Sequence, residues 1–291
     1  MILETVHHYT TLEALVSIFS ALDKEQGEDR MLTFWASSVF SMNDTSEFRY
    51  GFQYFKQKIL EYEDIHQVPQ NSRISTLWKN TKRHVFDERL TGAIADSQHC
   101  PFAISFSKKK DNLMMWQQYS STKSGLCLTF KQFSYEPLFN HETLKDLQFA
   151  EGIRADDISY GKLEDDMTVW NVFLKKYDKI RRKGKTTNTE LWQLFVLFSL
   201  LTATHVKHPA YAEEEEVRLV KLSDKNHPIK FRVAKGRLRP YIEVPVPLKE
   251  LESVTVAPGQ NQDDLQKDVV YLLRHYGVTV PVNTSEIPYR D

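Results

Sequence analysis

Residues 217–257 read VRLVKLSDKNHPIKFRVAKGRLRPYIEVPVPLKELESVTVA, and this stretch decides the fold class. Short runs rich in β-branched and aromatic residues are separated by Pro, Gly and Asn, the pattern of consecutive strands. The runs are Val217 to Leu222, Pro228 to Val233, Tyr241 to Val246 and Ser253 to Ala257. No helical pattern lies between them, so the pattern argues against strands that alternate with helices.

Helical patterns form blocks of their own elsewhere in the chain. Apolar residues recur at helical spacing in Leu12 to Leu22 and in Phe48 to Ile59. Longer helical patterns cover about Asp166 to Arg182 and Thr189 to His205, and a later one covers Asp263 to Tyr276. Segregation of helices from strands predicts an α+β fold rather than a doubly wound parallel sheet.

The chain shows no internal repeat and no Gly/Ser linker, so we predict a single domain over residues 1–291 with a helical insertion at about 163–207. It has 38 basic and 39 acidic side chains, and a net charge of -1 argues against a nucleic-acid binder that uses its whole surface. The start MILETVHHYT lacks the pattern of a signal peptide, and the apolar run 191–205 is shorter than a membrane span. With two cysteines expected as free thiols, a cytoplasmic location is predicted.

A strand-to-helix junction near the amino terminus carries two histidines. Val6 to Tyr9 predicts a strand, and Thr10 is the expected cap of the helix that follows, with Glu13 as the capping-box partner. Because side chains alternate along a strand, His7 and His8 point to opposite faces.

Two strands bracket a short aromatic helix in the middle of the chain. Phe102 to Ser107 and Gly125 to Phe130 predict strands, and Asp111 begins a helix that carries Trp116 and Tyr119. The two strands can pair in antiparallel fashion.

The acidic run Glu213 to Glu216 leads into the strand that begins the quoted stretch. Alternation places Glu214, Glu216 and Arg218 on one face. Two carboxylates so placed could hold a common ligand in different roles, and a carboxylate stabilises an oxocarbenium-like centre. The alternative is an exposed acidic loop followed by an ordinary ion pair to Arg218, and these residues alone favour that alternative.

Common nucleotide, hydrolase and zinc motifs are missing: the sequence has no GxGxxG, GxxxxGK[ST], GxSxG, HExxH or CxxC. His205 and His208 have helical spacing, but with only His99 and Cys100 as further candidates we expect no metal site. Cys127 lies within an apolar strand, which favours a buried, inert thiol.

A basic tract near residue 180 could contact phosphates of a nucleic acid. A solvated helix end is the alternative that charge runs favour. The basic residues of the tract are Lys175, Lys176, Lys179, Arg181, Arg182, Lys183 and Lys185.

The order of these segments along nearly the whole chain resembles DUF2971, an uncharacterised bacterial family. The residues that carry the resemblance are His8, Tyr9, Thr10, Thr11, Leu12, Glu13, Met42, Asn43, Asp44, Glu47, Gly51, Phe106, Ser107, Lys109, Asp111, Met115, Trp116, Tyr119, Gly125, Cys127, Leu128, Phe130, Lys207, Tyr211, Glu214, Glu216, Arg218, Leu219, Val220, Ile287, Pro288, Tyr289 and Arg290. The family name implies no function.

A weaker resemblance is to ADP-ribosyltransferase-like folds, in which a first-strand histidine, a middle-strand serine or tyrosine and a late-strand glutamate form a three-part signature. It implies an α+β fold with two small, mostly antiparallel sheets, and NAD as substrate in the cleft between them. It implies that His8 bonds a ribose and that the backbone near Tyr9 and Thr10 holds the nicotinamide amide. Ser107 would be the middle-strand residue, and Trp116 or Tyr119 would stack on nicotinamide.

The same resemblance implies that Glu216 holds the ribose 2′-hydroxyl and that Glu214 approaches the acceptor. Our first hypothesis is therefore an NAD-consuming ADP-ribosyltransferase or glycohydrolase, acting as a toxin or in defence against phage, with an acceptor that the sequence does not identify. The second is a non-catalytic module that binds a nucleotide or nucleic acid. In a third interpretation, His8 and Trp116 are structural residues and Glu216 pairs with Arg218.

Overall fold

The computed structural model describes residues 5–24, 27, 29–41, 45–79, 100–120, 124–131, 136–137, 153–161, 168–182, 188–224, 226–234 and 236–288. Within these ranges the chain is a mixture of helices and strands, which confirms the predicted α+β class. The helices are α1 (Leu12–Phe19), α2 (Thr45–Ile65), α3 (Thr76–Lys79), α4 (Leu113–Tyr119), α5 (Thr168–Arg182), α6 (Asn188–Ala203) and α7 (Gln262–His275). Short 3-10 helices cover Ser20–Lys24, Val39–Ser41, Gln70–Ser72, Pro209–Glu214 and Leu248–Glu250.

Most of the strands belong to a single mixed sheet. The strands in chain order are β1 (Val6–Thr11), β2 (Met31–Ser38), β3 (Pro101–Ser107), β4 (Gly125–Phe130), β5 (Glu136–Pro137), β6 (Arg154–Asp157), β7 (Ser159–Tyr160), β8 (Val206–Lys207), β9 (Glu216–Leu222), β10 (Lys230–Ala234), β11 (Arg237–Pro247), β12 (Leu251–Val256) and β13 (Val282–Thr284). In the described ranges eleven of them form one sheet, and β7 and β8 form a separate parallel pair. The resemblance implied two small sheets, whereas the structure has one large, mostly antiparallel sheet.

The large sheet forks at β3. Along one edge, β3 pairs with β9 from Pro101 opposite Leu222 to Ser107 opposite Glu216. On its other edge, β3 pairs with β2 only at its start and with β1 only at Ser107. Residues 104–106 therefore have no strand partner on that edge within the described part of the chain. The opening between β1 and β2 exposes this part of the central strand.

Two hydrophobic cores cover the two faces of the sheet. Phe102 and Ile104 belong to a largely aliphatic core that includes residues of α1 and α7. Ala103 belongs instead to a core rich in aromatic residues, formed with α2, α5 and α6. Neighbouring residues of β3 enter different cores because side chains alternate across a strand. The helices 168–182 and 188–203 that supply the second core lie between β7 and β8 in the chain.

Helix α1 begins at Leu12 as predicted, but its capping residue differs from the prediction by one position. Thr10 remains in β1, where it is paired with Leu126 of β4, and Thr11 is the residue whose side chain accepts a hydrogen bond from the backbone NH of Ala14. The predicted Thr10 cap is therefore wrong, because pairing with β4 extends the strand by two residues.

Other boundaries follow the sequence patterns with small shifts. Strand β11 begins at Arg237 rather than Tyr241 because it pairs with β10 before it reaches β2, and α2 extends to Ile65, six residues beyond the predicted Ile59. The sequence also predicts a final short strand at Val278 to Val282, whereas β13 lies at Val282–Thr284. It further predicts a helix between Ile74 and Leu90, of which the structure describes only α3, since 80–99 lie outside the described residues.

None of the described helices has the length and apolar composition needed to cross a membrane. The close packing of the helical layer is visible at Gly51, where a Cβ atom would lie 2.7 Å from the Cα of Ala203. Gly51 thus allows α2 to approach the end of α6.

Candidate functional site

A cavity of about 300 Å³ lies at the fork of the sheet. Residues of β1, β2 and β3 line its interior, α4 and the turn before β9 supply one wall, and β10 and β11 supply another. The fork creates this space because β1 and β2 separate on either side of residues 104–106. The exposed edge of β3 therefore lies against the cavity.

Most of the sequence-predicted site residues line this cavity. Those that do are His8, Tyr9, Thr10, Tyr119, Glu214 and Glu216. Ser107 and Trp116 do not line it. The structure therefore brings the first-strand histidine and both late carboxylates together and leaves the other two predicted residues behind the cavity wall.

Ser107 is fully buried and supports the turn that carries the carboxylates. Its hydroxyl donates a hydrogen bond to the carbonyl oxygen of Glu214 at 2.6 Å and accepts one from the backbone NH of Lys109 at 3.0 Å. Ser105, two residues earlier, lines the cavity and donates to Oε1 of Glu216 at 2.5 Å. Ser105 is thus the middle-strand hydroxyl at the site, and the sequence pattern did not distinguish it from Ser107.

Trp116 is completely buried beneath the cavity wall. Its ring contacts that of Tyr9 edge-on at a centroid distance of 4.9 Å, and its Nε1 donates a hydrogen bond to Asp111 at 2.8 Å. Tyr119, one turn further along α4, lines the cavity. Trp116 holds α4 against β1, and Tyr119 is the aromatic residue that a ligand could contact.

Glu214 and Glu216 are both buried. Their carboxylates accept different numbers of hydrogen bonds from other residues of the protein. Glu214 accepts hydrogen bonds from the Tyr119 hydroxyl and from Lys207 Nζ, each at 2.6 Å. Glu216 accepts four, from the Ser105 hydroxyl, from Lys207 and from two nitrogens of Arg218. A carboxylate offers about four acceptor positions. Those of Glu216 are filled, whereas Glu214 retains about two.

The two carboxylates belong to a buried ionic network that extends to α2. Arg218 Nη2 donates to Oε1 of Glu47 at 2.5 Å, and Nη1 donates to the carbonyl oxygen of Thr204 at 3.1 Å. Lys207 Nζ lies 3.9 Å from Glu47 Oε2. Three carboxylates, of Glu47, Glu214 and Glu216, face two cations, of Lys207 and Arg218, so the network carries a formal charge of -1 when all are ionised.

The two site carboxylates have opposite pKa shifts. Burial alone would raise the pKa of Glu216, but the charges of Arg218 and Lys207 outweigh it and lower this pKa to about 2. Burial raises the pKa of Glu214, because Lys207 and the Tyr119 hydroxyl only partly offset it. Environments that separate the pKa values of two neighbouring carboxyls are typical of acid–base sites.

His8 presents a neutral imidazole to the cavity. Its Nδ1 lies 3.0 Å from the carbonyl oxygen of Ser105. Because a carbonyl oxygen can only accept, Nδ1 carries the hydrogen and donates this hydrogen bond. In the neutral ring Nε2 is then an acceptor. Burial lowers the pKa of His8 to about 4, and the bond to Ser105 opposes this only in part. The rings of Phe34 and Phe106 lie 5.0 and 5.4 Å away. His8 is positioned to accept a hydrogen bond from a ligand hydroxyl or amide.

The wall formed by β10 and β11 carries two arginines that the sequence patterns did not single out. Arg232 and Arg239 are directly opposite each other in the hairpin, and both line the cavity. Arg232 Nη2 donates to the Ser37 hydroxyl at 3.2 Å, and its guanidinium carbon lies 5.4 Å from the ring centroid of Trp35. Arg239 donates to the carbonyl oxygen of Ser41. The cavity thus has an acidic wall and a basic wall.

Residues 115–219 match the model of a family described as a protein of unknown function, DUF2971. This segment belongs to DUF2971. The match confirms the family resemblance and includes Tyr119, Glu214 and Glu216, whereas His8 and the two arginines lie outside it. No curated protein and no solved structure matches the chain.

Five of the residues that carry the resemblance to DUF2971 lie outside the part of the chain that the structure describes. These are Met42, Asn43, Asp44, Tyr289 and Arg290. The family model does not extend to them either. Their part in the resemblance therefore stays a prediction.

The histidines and thiols of the protein do not gather into a metal site within the described ranges. His205 is buried and its Nδ1 contacts the carbonyl oxygen of Leu201 at 3.1 Å, whereas the ring of His208 accepts a hydrogen bond from the backbone NH of Ala210. His99 lies outside the described residues. Cys100 and Cys127 are free and buried, and burial raises the pKa of the Cys127 thiol, as expected for an inert cysteine.

The basic tract lies at the end of α5, and its described members do not line the cavity. Arg181 pairs with Asp178 at 3.0 Å. Lys183 and Lys185 lie outside the described residues. A nucleic-acid contact through this tract stays a prediction.

Proposed function

We propose that the cavity binds NAD and that the protein breaks the nicotinamide–ribose bond and transfers ADP-ribose to an acceptor. The observation that supports this proposal most is the position of His8, Tyr119, Glu214 and Glu216 around one cavity at the fork. In this proposal the cavity holds the nucleotide without a glycine-rich loop. A cytoplasmic location, expected from the two cysteines and the start of the sequence, also belongs to the proposal. So does a role as a toxin or in phage defence, which rests on the resemblance.

The carboxylates supply what this reaction needs electrostatically. Departure of nicotinamide leaves positive charge on the ribose, and fixed negative charge stabilises that state more than the ground state. Glu216 contributes its charge, since its low pKa keeps it ionised and its acceptor positions are already filled. Glu214 has acceptor positions left, so in this proposal it is Glu214 that bonds a ribose hydroxyl.

The amino-terminal strand supplies groups for the nicotinamide end. Beyond His7, the edge of β1 that faces β3 has no strand partner in the described ranges, and His8, Tyr9 and Thr10 line the cavity there. The backbone of Tyr9 faces this open edge and can bond a carboxamide, whereas the backbone of His8 and Thr10 faces β4. His8 Nε2 can accept from a hydroxyl. The ring of Tyr119 provides an aromatic surface beside them.

The first test is the rate of nicotinamide release from NAD by Glu214→Gln. We expect a loss of about 100-fold, because removal of one preorganised electrostatic group at a reacting centre has this size of effect. Tyr119→Phe, which removes only the hydroxyl bonded to Glu214, should give a smaller loss. Released nicotinamide is quantified by liquid chromatography.

Glu213→Gln is the matched control, since Glu213 is the neighbouring residue, is exposed and pairs with Lys109 rather than with a cavity residue. It should release nicotinamide at the unmodified rate. Equal rates for Glu214→Gln and Glu213→Gln, with melting temperatures unchanged, would contradict the proposed role of Glu214. No nicotinamide release by the unmodified protein would contradict the proposed reaction.

A second candidate function, a non-catalytic nucleotide-binding module, is favoured by one observation. Every acceptor position of Glu216 is occupied by Ser105, Lys207 or Arg218, as expected of a carboxylate that stabilises the fold. In that case NAD raises the melting temperature by ligand linkage. No nicotinamide is then released.

A further inference from the structure

The hairpin of β10 and β11 places two like charges side by side in the cavity wall. Arg232 is directly opposite Arg239 in the antiparallel register, and both line the cavity. Like charges directly opposite on neighbouring strands destabilise a sheet. The hairpin therefore carries an electrostatic cost that an anion between the two side chains would remove.

The described part of the protein supplies no carboxylate for this pair. Their hydrogen bonds are to neutral oxygens, the Ser37 hydroxyl for Arg232 and the Ser41 carbonyl for Arg239. The Nε of Arg232 is buried and has no hydrogen-bond partner among the described residues. Burial without a partner is costly for a donor and is exceptional in folded proteins. Both arginines thus retain donors for a group that enters the cavity.

We propose that Arg232 and Arg239 together bind the pyrophosphate of the ligand. Guanidinium groups match the geometry of phosphate oxygens through paired N–H donors, and a pyrophosphate with one negative charge on each phosphate neutralises both arginines. This inference deepens the proposed function because it names a phosphorylated ligand for that cavity. It does not depend on whether a bond of the ligand is cleaved.

The carboxylates of the acidic wall restrict where in the cavity a phosphate can bind. Glu214 and Glu216 on the opposite side of the cavity belong to the network with a formal charge of -1, which repels a phosphate. A ligand with a sugar at one end and phosphates at the other is therefore bound with its phosphates at the hairpin. Trp35, under the Arg232 guanidinium, provides an aromatic surface beside the same position.

The test compares ADP with adenosine, which lacks phosphates, by isothermal titration calorimetry at fixed ionic strength. We expect Arg232→Gln and Arg239→Gln each to weaken ADP binding at least tenfold and to leave adenosine binding within twofold. Inorganic pyrophosphate should compete with ADP in the unmodified protein and not in the double variant. Arg274→Gln, an exposed arginine of α7 outside the cavity, is the control for loss of one positive charge and should bind ADP normally.

Unchanged ADP affinity in both arginine variants would overturn the inference, as would an equal loss for adenosine. Melting temperatures without ligand provide a second readout: removal of one like charge should leave the hairpin as stable as before or more stable, and a marked decrease would indicate that the pair is structural. Loss of ADP binding in these variants with no nicotinamide release from NAD would support the phosphate site and contradict only the proposed reaction. Nicotinamide release with an unchanged KM for NAD in both variants would support the proposed reaction and contradict the phosphate site.

Discussion

Replacement of Arg218 by alanine is expected to lower the free energy of unfolding by about 3 to 5 kcal/mol. Arg218 is buried and bonds both Glu216 and Glu47, so its loss leaves two buried carboxylates with Lys207 as the remaining cation in contact with them. A buried charge without compensation costs far more than the net value of the ion pair. Urea denaturation at pH 7, followed by circular dichroism, measures the change.

Lys108→Ala is the control for this prediction. Lys108 pairs with Asp157 at 2.8 Å, but both side chains are about half exposed, so the variant should lose less than about 1 kcal/mol. A loss below 1 kcal/mol in Arg218→Ala as well would contradict a buried ionic network that supports the fold. Arg218→Lys should be intermediate, since an ammonium keeps the charge but cannot reach all the partners of the guanidinium.

Mild acid is expected to destabilise the protein steeply between pH 6.5 and pH 4. Burial lowers the pKa of His7 and of His8 from 6.5 to about 4 and that of His205 to about 3. In this interval the unfolded chain binds protons that the folded chain does not, so stability falls as the pH falls. Each such histidine contributes at most about 1.4 kcal/mol per pH unit.

Two carboxylates also change how the free energy of unfolding depends on pH. The pKa of Glu216 is lowered from 4.5 to about 2, so its contribution to stability is present above pH 4.5 and is lost as the pH falls toward 2. Glu214 has a raised pKa, so the folded state takes up a proton there at a pH above 4.5, and this partly offsets the destabilisation by the histidines rather than the loss from Glu216. Urea denaturation at half-unit steps from pH 7 to pH 4 gives the slope.

His7→Asn should flatten the profile, because it removes one of the three histidines with a lowered pKa, and the ring of His7 bonds Thr129 rather than a carboxylate. The same substitution at His66, which is exposed, controls for the change of residue. A free energy of unfolding that stays constant between pH 6.5 and pH 5 would contradict the prediction.

Local sequence patterns predicted most of the secondary structure because each pattern reflects a single element. The boundaries of β4 agree with the prediction, and those of β3 and β9 differ from it by one residue. Period-two alternation also placed Glu214, Glu216 and Arg218 together. In the structure the chain at Glu214 is helical and Glu215 adopts a left-handed conformation with φ 41°, yet the three side chains meet at one network.

The fork was not predictable in the same way, since it depends on which strands pair with β3. A sequence pattern gives the face of a side chain but not its neighbours, so Ser105 and Ser107 were equivalent in sequence although only Ser105 reaches the cavity. Trp116 is buried for the same reason: packing against Tyr9 decides its role.

The arginine pair was missed because Pro240 and the charges of residues 235–239 obscure the strand there. A signal did exist: if residues 235 and 236 form a two-residue hairpin loop, Arg232 is opposite Arg239. Gly236 has φ 71°, as such turns require, and the structure has this register.

Trp35 can report ligand binding in the cavity through its fluorescence. Its indole lies in the cavity wall with the Arg232 guanidinium 5.4 Å from the ring centroid, in the geometry of a cation–π contact. Indole emission responds to nearby charge, so a ligand that draws the guanidinium away alters the wavelength and intensity of this one fluorophore. The chain has five tryptophans, so occupancy of the basic wall corresponds to the part of the emission change that is lost in Trp35→Phe.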